Sequence, residues 1–189
     1  MLKPQGLCID IAGVLHEGGE VVTGARAAIA RVREAGVPCR FLTNTSRKPS
    51  RAVLDELREL GFEVDEKEVL TAPAAVARYV NGRKLKAWLL VHPDIEEEFE
   101  PASFSDADAV VVCDAGERFD YRRLDQAFAL LMEGAPLLAV GMNRYFKASD
   151  GLHLDAGPFI RALEYAAGVE ATIIGKPGEA MFQEACDSM

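Results

Sequence analysis

Three polar clusters in this sequence stand at the ends of apolar runs. Asp10 lies at the end of GLCIDI, Thr43, Asn44, Thr45 and Ser46 follow CRFL, and Lys176 follows TIIG. An apolar run closed by polar residues reads as a buried strand whose carboxyl end faces a ligand. A carboxylate, hydroxyl and amide donors, and an ammonium on one edge suit phosphoryl transfer. The aspartate attacks phosphorus and forms an acyl phosphate. The hydroxyls, amides and lysine hold the equatorial oxygens, over which charge spreads in the transition state. A divalent cation, Mg²⁺ by preference, would reduce repulsion between carboxylate and phosphate. Each cluster also has a plainer reading. A strand-end Asp is a common turn cap, Thr-Asn-Thr-Ser an ordinary polar turn, and Gly-Lys-Pro a frequent chain reversal. Their order and shared placement favour the chemical reading.

The elements that must position these groups alternate. Residues 6–11 read as a strand, 24–36 as a helix closed by Gly36, 37–46 as a strand running into polar residues, and 47–61 as a helix closed by Gly61. Residues 68–73 form a third strand, with Thr71 capping the helix that begins near Pro73. This rhythm implies parallel strands joined by right-handed crossovers: an α/β, doubly wound parallel sheet. It then restarts. Strands are expected at 85–91, 108–114, 136–141 and 171–178. Helices are expected at 120–134, capped by Asp120, and at 159–168. The acidic stretch DIEEEFE reads as a solvated helix or loop, and residues 151–159 as a turn. The last eleven residues open one more helix.

Composition narrows the function. The chain has 189 residues with a formal net charge of -9, which argues against nucleic acid, whose phosphates attract basic surfaces. No run of about 18 apolar residues offers a membrane span. MLKPQG carries no apolar signal stretch. The four cysteines form no CxxC pair. Cys8 and Cys113 fall in strand-like runs and are expected to be buried free thiols, which suits a reducing cytoplasm. His16, His92 and His153 show no metal-ligand spacing; His16 and His92 read as loop residues near strand ends, and His16 as more often a plain surface or core residue than a lining of the site mouth.

DIAGVL, FLTNTS and IIGKPG resemble, in this order, motifs one, two and three of the haloacid dehalogenase (HAD) superfamily of phosphatases. The segment between the second and third is similar to the cap insertion of its type IIA branch, which includes nitrophenylphosphatases. The resemblance implies a HAD-like Rossmannoid core in two parts, 1–74 and 171–189, and an inserted α/β cap at 75–170. It further implies Asp10 as nucleophile, Thr43 and Asn44 as phosphate ligands, and Lys176 as stabiliser of the phosphate and of the aspartyl-phosphate. Asp10 and the Ala12 backbone carbonyl would hold Mg²⁺. The loop Asn143–Gly151 would shape specificity, with Asn143 and Arg144 as cap contacts. Arg144 and Lys147 read equally well as exposed charge. The expected partner is a small phosphorylated molecule, with no nucleic acid and no membrane, in a cytoplasmic protein.

Two departures qualify the resemblance. The superfamily pattern places a second aspartate two residues after the nucleophile, as general acid and base; this sequence has Ala12. General acid–base help is worth about 10²–10⁴-fold, so hydrolysis is expected to be slow or limited to good leaving groups. The pattern's fourth motif, a strand with an acidic loop, is absent from a sequence that stops at Met189. An incomplete metal site is therefore expected, with weak Mg²⁺ binding. A bare apolar edge along GLCIDI is also expected, through which the chain would self-associate or lose stability; a homo-oligomer could form there or through the cap. The alternative reading is a non-catalytic relative that binds phosphate or a partner. A Rossmann-type cofactor binder lacks GxGxxG after the first strand.

Overall fold

A computed structural model describes residues 4–148 and 150–189. The start of MLKPQG and Ser149, within the 143–151 stretch, lie outside the described residues. In chain order the elements are β1 (Leu7–Asp10), β2 (His16–Glu17), β3 (Glu20–Val21), α1 (Ala25–Glu34), β4 (Cys39–Thr43), α2 (Ser50–Glu59), β5 (Val69–Thr71) and α3 (Ala72–Gly82). There follow β6 (Ala87–Leu90), β7 (Ala109–Val112), α4 (Tyr121–Met132), β8 (Leu137–Ala139), β9 (Tyr145–Ala148), β10 (Gly151–Leu154), α5 (Gly157–Ala167), β11 (Thr172–Ile173) and α6 (Glu179–Asp187).

Two parallel sheets result, one ordered β1-β4-β5 and the other β11-β8-β7-β6. Alternation along each strand divides the core into layers. Phe41 packs with Ile29, Leu54 and Leu57 of α1 and α2, whereas its neighbour Leu42 joins Val76, Val111 and Met181 in a cluster around α3 and α6. Val110 and Val112 turn the other way, onto Leu130, Leu131 and Ile160 of α4 and α5. Helices α3 and α6 thus lie between the sheets, joined by the Arg78–Glu184 ion pair. Arg40, buried on β4, ties down the end of α6 through the Ser188 hydroxyl at 2.7 Å.

The caps fall where the residue types require. Thr71 Oγ1 accepts from Ala74 N, and Asp120 Oδ1 accepts from Arg123 N at 2.8 Å. Gly168 closes α5 at φ 68. The acidic stretch forms a short 3₁₀ helix, Pro93–Glu98, that is exposed apart from the fully buried Ile95 and the half-buried Glu98.

Three expectations are corrected. Residues 145–148 and 151–154, read as a loop and a turn, pair as the antiparallel strands β9 and β10. Cys8 is exposed, because β1 pairs only with β4 among the described residues and its outward positions face solvent; Cys113 is buried as expected. His16 belongs to a two-residue strand that pairs with Glu20–Val21, rather than to a loop. In addition, Thr172–Ile173 pairs with Leu138–Ala139 on the second sheet, so the chain returns to the first sheet's edge only beyond Ile174.

Candidate active site

Asp10 and Leu42 are register partners on adjacent parallel strands. Asp10 and Thr43 therefore emerge side by side at one sheet edge. Ile11 N donates to Asp10 Oδ1 at 2.8 Å. The chain then turns through Gly13, whose φ of 76 suits glycine, into the β2–β3 hairpin. The turn presents Ala12 to the cavity.

The polar run after β4 folds onto itself. Thr45 N donates to Thr43 Oγ1 at 3.1 Å, and the two threonine hydroxyls lie 2.8 Å apart. Asn44 reaches across to the third cluster. Its amide donates to Lys176 O at 2.7 Å, and Lys176 N donates to its carbonyl at 2.9 Å. Gly175 makes this approach possible, since a Cβ there would run into the Val140 carbonyl and stand 3.0 Å from Asn44 Oδ1. So held, Lys176 places Nζ 2.6 Å from Asp10 Oδ1 and 3.2 Å from Leu42 O. The Asp10 side chain remains 49% exposed, open to a ligand.

These groups share a cavity of about 670 Å³ with the second sheet's strand ends and the hairpin. Asp10, Ala12, Thr43, Asn44, Asn143 and Lys176 all line it. Arg144 does not. It turns into a neighbouring groove with Tyr145, Leu154 and Arg161, while Lys147 faces the cavity. His16 does not line it, in keeping with its plainer reading.

Five lining residues escape the sequence reading: Arg47, Lys48, Asp114, Phe146 and Asp155. Arg47 joins the first sheet's loop to the second sheet. It donates to Asp114 through Nε at 2.5 Å and Nη2 at 3.1 Å, and its guanidinium lies 4.7 Å from the Phe146 ring centroid. Asp114 follows DAVVVC just as Asp10 closes GLCI, so the same strand-end signal applied to the second sheet would have found it. Asp155 precedes α5 and accepts Ala156 N at 2.7 Å. Burial pushes its carboxyl above the ordinary aspartate value, aided by the nearby Asp114 charge and opposed by Ala156 N, Asn143 and Arg47.

As to metals, no group of three or more His, Cys, Asp or Glu converges among the described residues. At the first-sheet edge the cavity offers the half-exposed Asp10 carboxylate. A single carboxylate of this kind fits Mg²⁺, which is commonly held by one or two carboxylates together with substrate phosphate and water. No helix among the described residues is long and apolar enough to cross a membrane.

The fold recurs in known proteins. A family model described as haloacid dehalogenase-like hydrolase matches residues 7–105. Phospholysine phosphohistidine inorganic pyrophosphate phosphatase of Bos taurus is 42% identical over 98% of this chain and 71% of its own length. Haloacid dehalogenase-like hydrolase domain-containing protein 2 of Homo sapiens is 40% identical over 96% of this chain and 70% of its own. Among solved structures, the p-nitrophenyl phosphatase from Archaeoglobus fulgidus superposes with a TM-score of 0.89 at 27% identity, covering 97% of this chain and 73% of that one.

Proposed function

This chain belongs to the haloacid dehalogenase-like hydrolases, and from that premise we propose that it is a phosphohydrolase of small phosphorylated substrates working through an aspartyl-phosphate on Asp10. The observation that carries the reading is the Lys176 ammonium 2.6 Å from Asp10 Oδ1, in one cavity with Thr43 and Asn44.

Asp10 attacks phosphorus in line with the leaving group. The P–O bond to Asp10 forms as the bond to the leaving atom breaks. Lys176 and the Thr43 hydroxyl face the equatorial oxygens and offset the charge that spreads there. Water then attacks the acyl phosphate, restoring the carboxylate and releasing phosphate. Mg²⁺ bound by Asp10 and the Ala12 carbonyl would reduce the repulsion between carboxylate and phosphate dianion.

Relatives' names supply the substrate candidates: phosphorylated lysine or histidine, pyrophosphate and aryl phosphate. Ala12 has no transferable proton. Position 12 therefore gives no help to a leaving group that must be protonated, and aryl and acyl phosphates are the most reactive class expected. Ala12 also favours a second reading, a phosphate-binding protein without turnover.

The experiment is p-nitrophenyl phosphate hydrolysis with Mg²⁺ by the wild type and Asp10→Asn, together with capture of beryllium fluoride. Turnover and capture that both vanish in Asp10→Asn support the enzyme. Phosphate binding with neither turnover nor capture supports the second reading. Turnover that survives Asp10→Asn rules out Asp10 as nucleophile.

A further inference from the structure

Three carboxyls line the cavity: Asp10, Asp114 and Asp155. Two are committed. Asp10 is bound to Lys176 and placed to attack phosphorus. Asp114 has a side chain only 4% exposed, with both oxygens taken by Arg47 and one also by Gly116 N at 3.0 Å. Asp155 is bound to no cation in an ion pair among the described residues; its hydrogen-bond partners are Ala156 N and the Asn143 side chain.

The placement of Asp155 has a chemical consequence. An in-line displacement puts the leaving atom on the side of phosphorus away from Asp10. Asp10 approaches from the first sheet. The opposite wall, with Asn143, Phe146 and Lys147, comes from the second sheet and its hairpin, and Asp155 stands there at the β10–α5 junction. Resting on the aspartyl-phosphate reading, we propose that Asp155 is the proton donor to the leaving group and the proton acceptor for the hydrolytic water, in the role that Ala12 cannot fill.

The step balances. As the bond from phosphorus to the leaving oxygen or nitrogen breaks, that atom takes the proton of the Asp155 carboxyl. Asp155 is left as a carboxylate. It then receives a proton from the water that attacks the acyl phosphate, and the bond between phosphorus and Asp10 breaks. The environment suits the cycle. Burial holds the carboxyl above its ordinary value, so it retains a proton further toward neutral pH than an exposed aspartate. Asp114 adds to this, while Arg47, Asn143 and Ala156 N stabilise the carboxylate left after transfer. Lys48, Lys147 and Lys176 are the other cationic groups that line the cavity. The substrates that gain are those with poor leaving groups, namely alkyl phosphates and phosphoramidates.

The test compares the wild type, Asp155→Asn and Asp155→Glu on an alkyl phosphate and on p-nitrophenyl phosphate, with Asp10→Asn beside them. The expected result is an alkyl-to-aryl ratio of kcat/KM, which reads phosphoryl transfer to Asp10 and not the shared hydrolysis of the acyl phosphate, that falls by roughly 10²–10⁴-fold in Asp155→Asn and recovers in part in Asp155→Glu. Residual aryl turnover by Asp155→Asn reports an intact fold. An unchanged ratio, whether both rates fall together or neither falls, overturns the proposal. So does a wild type that hydrolyses only the aryl ester, which would leave the Asp10 reading standing. Activity that survives Asp10→Asn overturns that reading, and the role of Asp155 with it.

Discussion

Lys176 Nζ stands 2.6 Å from Asp10 Oδ1 across 166 residues of chain. Neither residue is placed by its own strand alone. Asp10 is held by the register of β1 on β4, whereas Lys176 follows a strand of the other sheet and is drawn to the first by Asn44. The contact therefore reports whether the two sheets are correctly docked at their carboxyl ends.

Replacing Lys176 by Met keeps the aliphatic stem and removes the charge. Loss of one preorganised donor to transition-state oxygens costs about 10²–10³-fold in turnover. The expected outcome is a fall of that order in kcat on p-nitrophenyl phosphate, with a folding midpoint close to that of the wild type. A variant with wild-type kcat would remove Lys176 from the mechanism.

Asn44 acts through Lys176. Asn44→Ala removes two partly buried hydrogen bonds, each worth about 1 kcal/mol net. Urea unfolding should show a loss of about 2 kcal/mol, and kcat should fall although the ammonium is still present. Gly175→Ala should act alike, since its Cβ would meet the Val140 carbonyl and stand 2.8 Å from Ala72 Cβ. Overpacking of this kind costs about 1–3 kcal/mol.

The first-sheet half of the site was legible because a continuously buried run there ends abruptly in polar residues. CRFLT is buried at every position, so the polar residues after it mark the strand's end. The β9–β10 hairpin was not legible, because β10 is exposed throughout and β9 buries no position fully. Without a buried face there is no period-two signal. The available clue was Asp150-Gly151, a hairpin dipeptide between short runs of mixed polarity. Missing the hairpin also misplaced Arg144, which shares a groove with Leu154 of the partner strand, and hid Phe146. Cys8 failed for a related reason: an apolar run implies a strand but does not say that both of its edges are paired.

Arg47 neutralises the nearly buried Asp114, and Arg47→Ala leaves that carboxylate unpaired. With Arg47 itself 39% exposed, the cost is discounted to about 1–2 kcal/mol. Adding Asp114→Asn should recover part of the loss, because the lone charge is gone. Thermal or urea unfolding of the two singles and the double checks the coupling; strictly additive losses would mean that the pair contributes nothing.

Glu68 gives a pH signature remote from the cavity. Burial works to raise its carboxyl, but the Arg33 hydrogen bonds at 2.7 and 2.9 Å and the Asp65 backbone N–H outweigh it, so it lies below the ordinary glutamate value. A depressed carboxyl stabilises the fold above its unfolded value of about 4.3 and ceases to do so as pH falls through the lower folded value. Glu68→Gln should therefore cost about 1 kcal/mol at neutral pH and progressively less below the unfolded value. An equal loss at acid and neutral pH would show that the effect is packing rather than charge.

Position 12 offers the reciprocal of the Asp155 test. Ala12 is exposed and lines the cavity, so an aspartate there enters without displacing core atoms. In an Asp155→Asn background, Ala12→Asp supplies a carboxyl two residues after Asp10. General acid–base help is worth about 10²–10⁴-fold, and alkyl phosphate turnover should recover by at least the lower end of that range. In the wild-type background, where Asp155 already serves, the gain should be much smaller. Steady-state rates of the four proteins on one alkyl phosphate decide the matter. Equal gains from Ala12→Asp in both backgrounds would mean that Asp155 moves no proton.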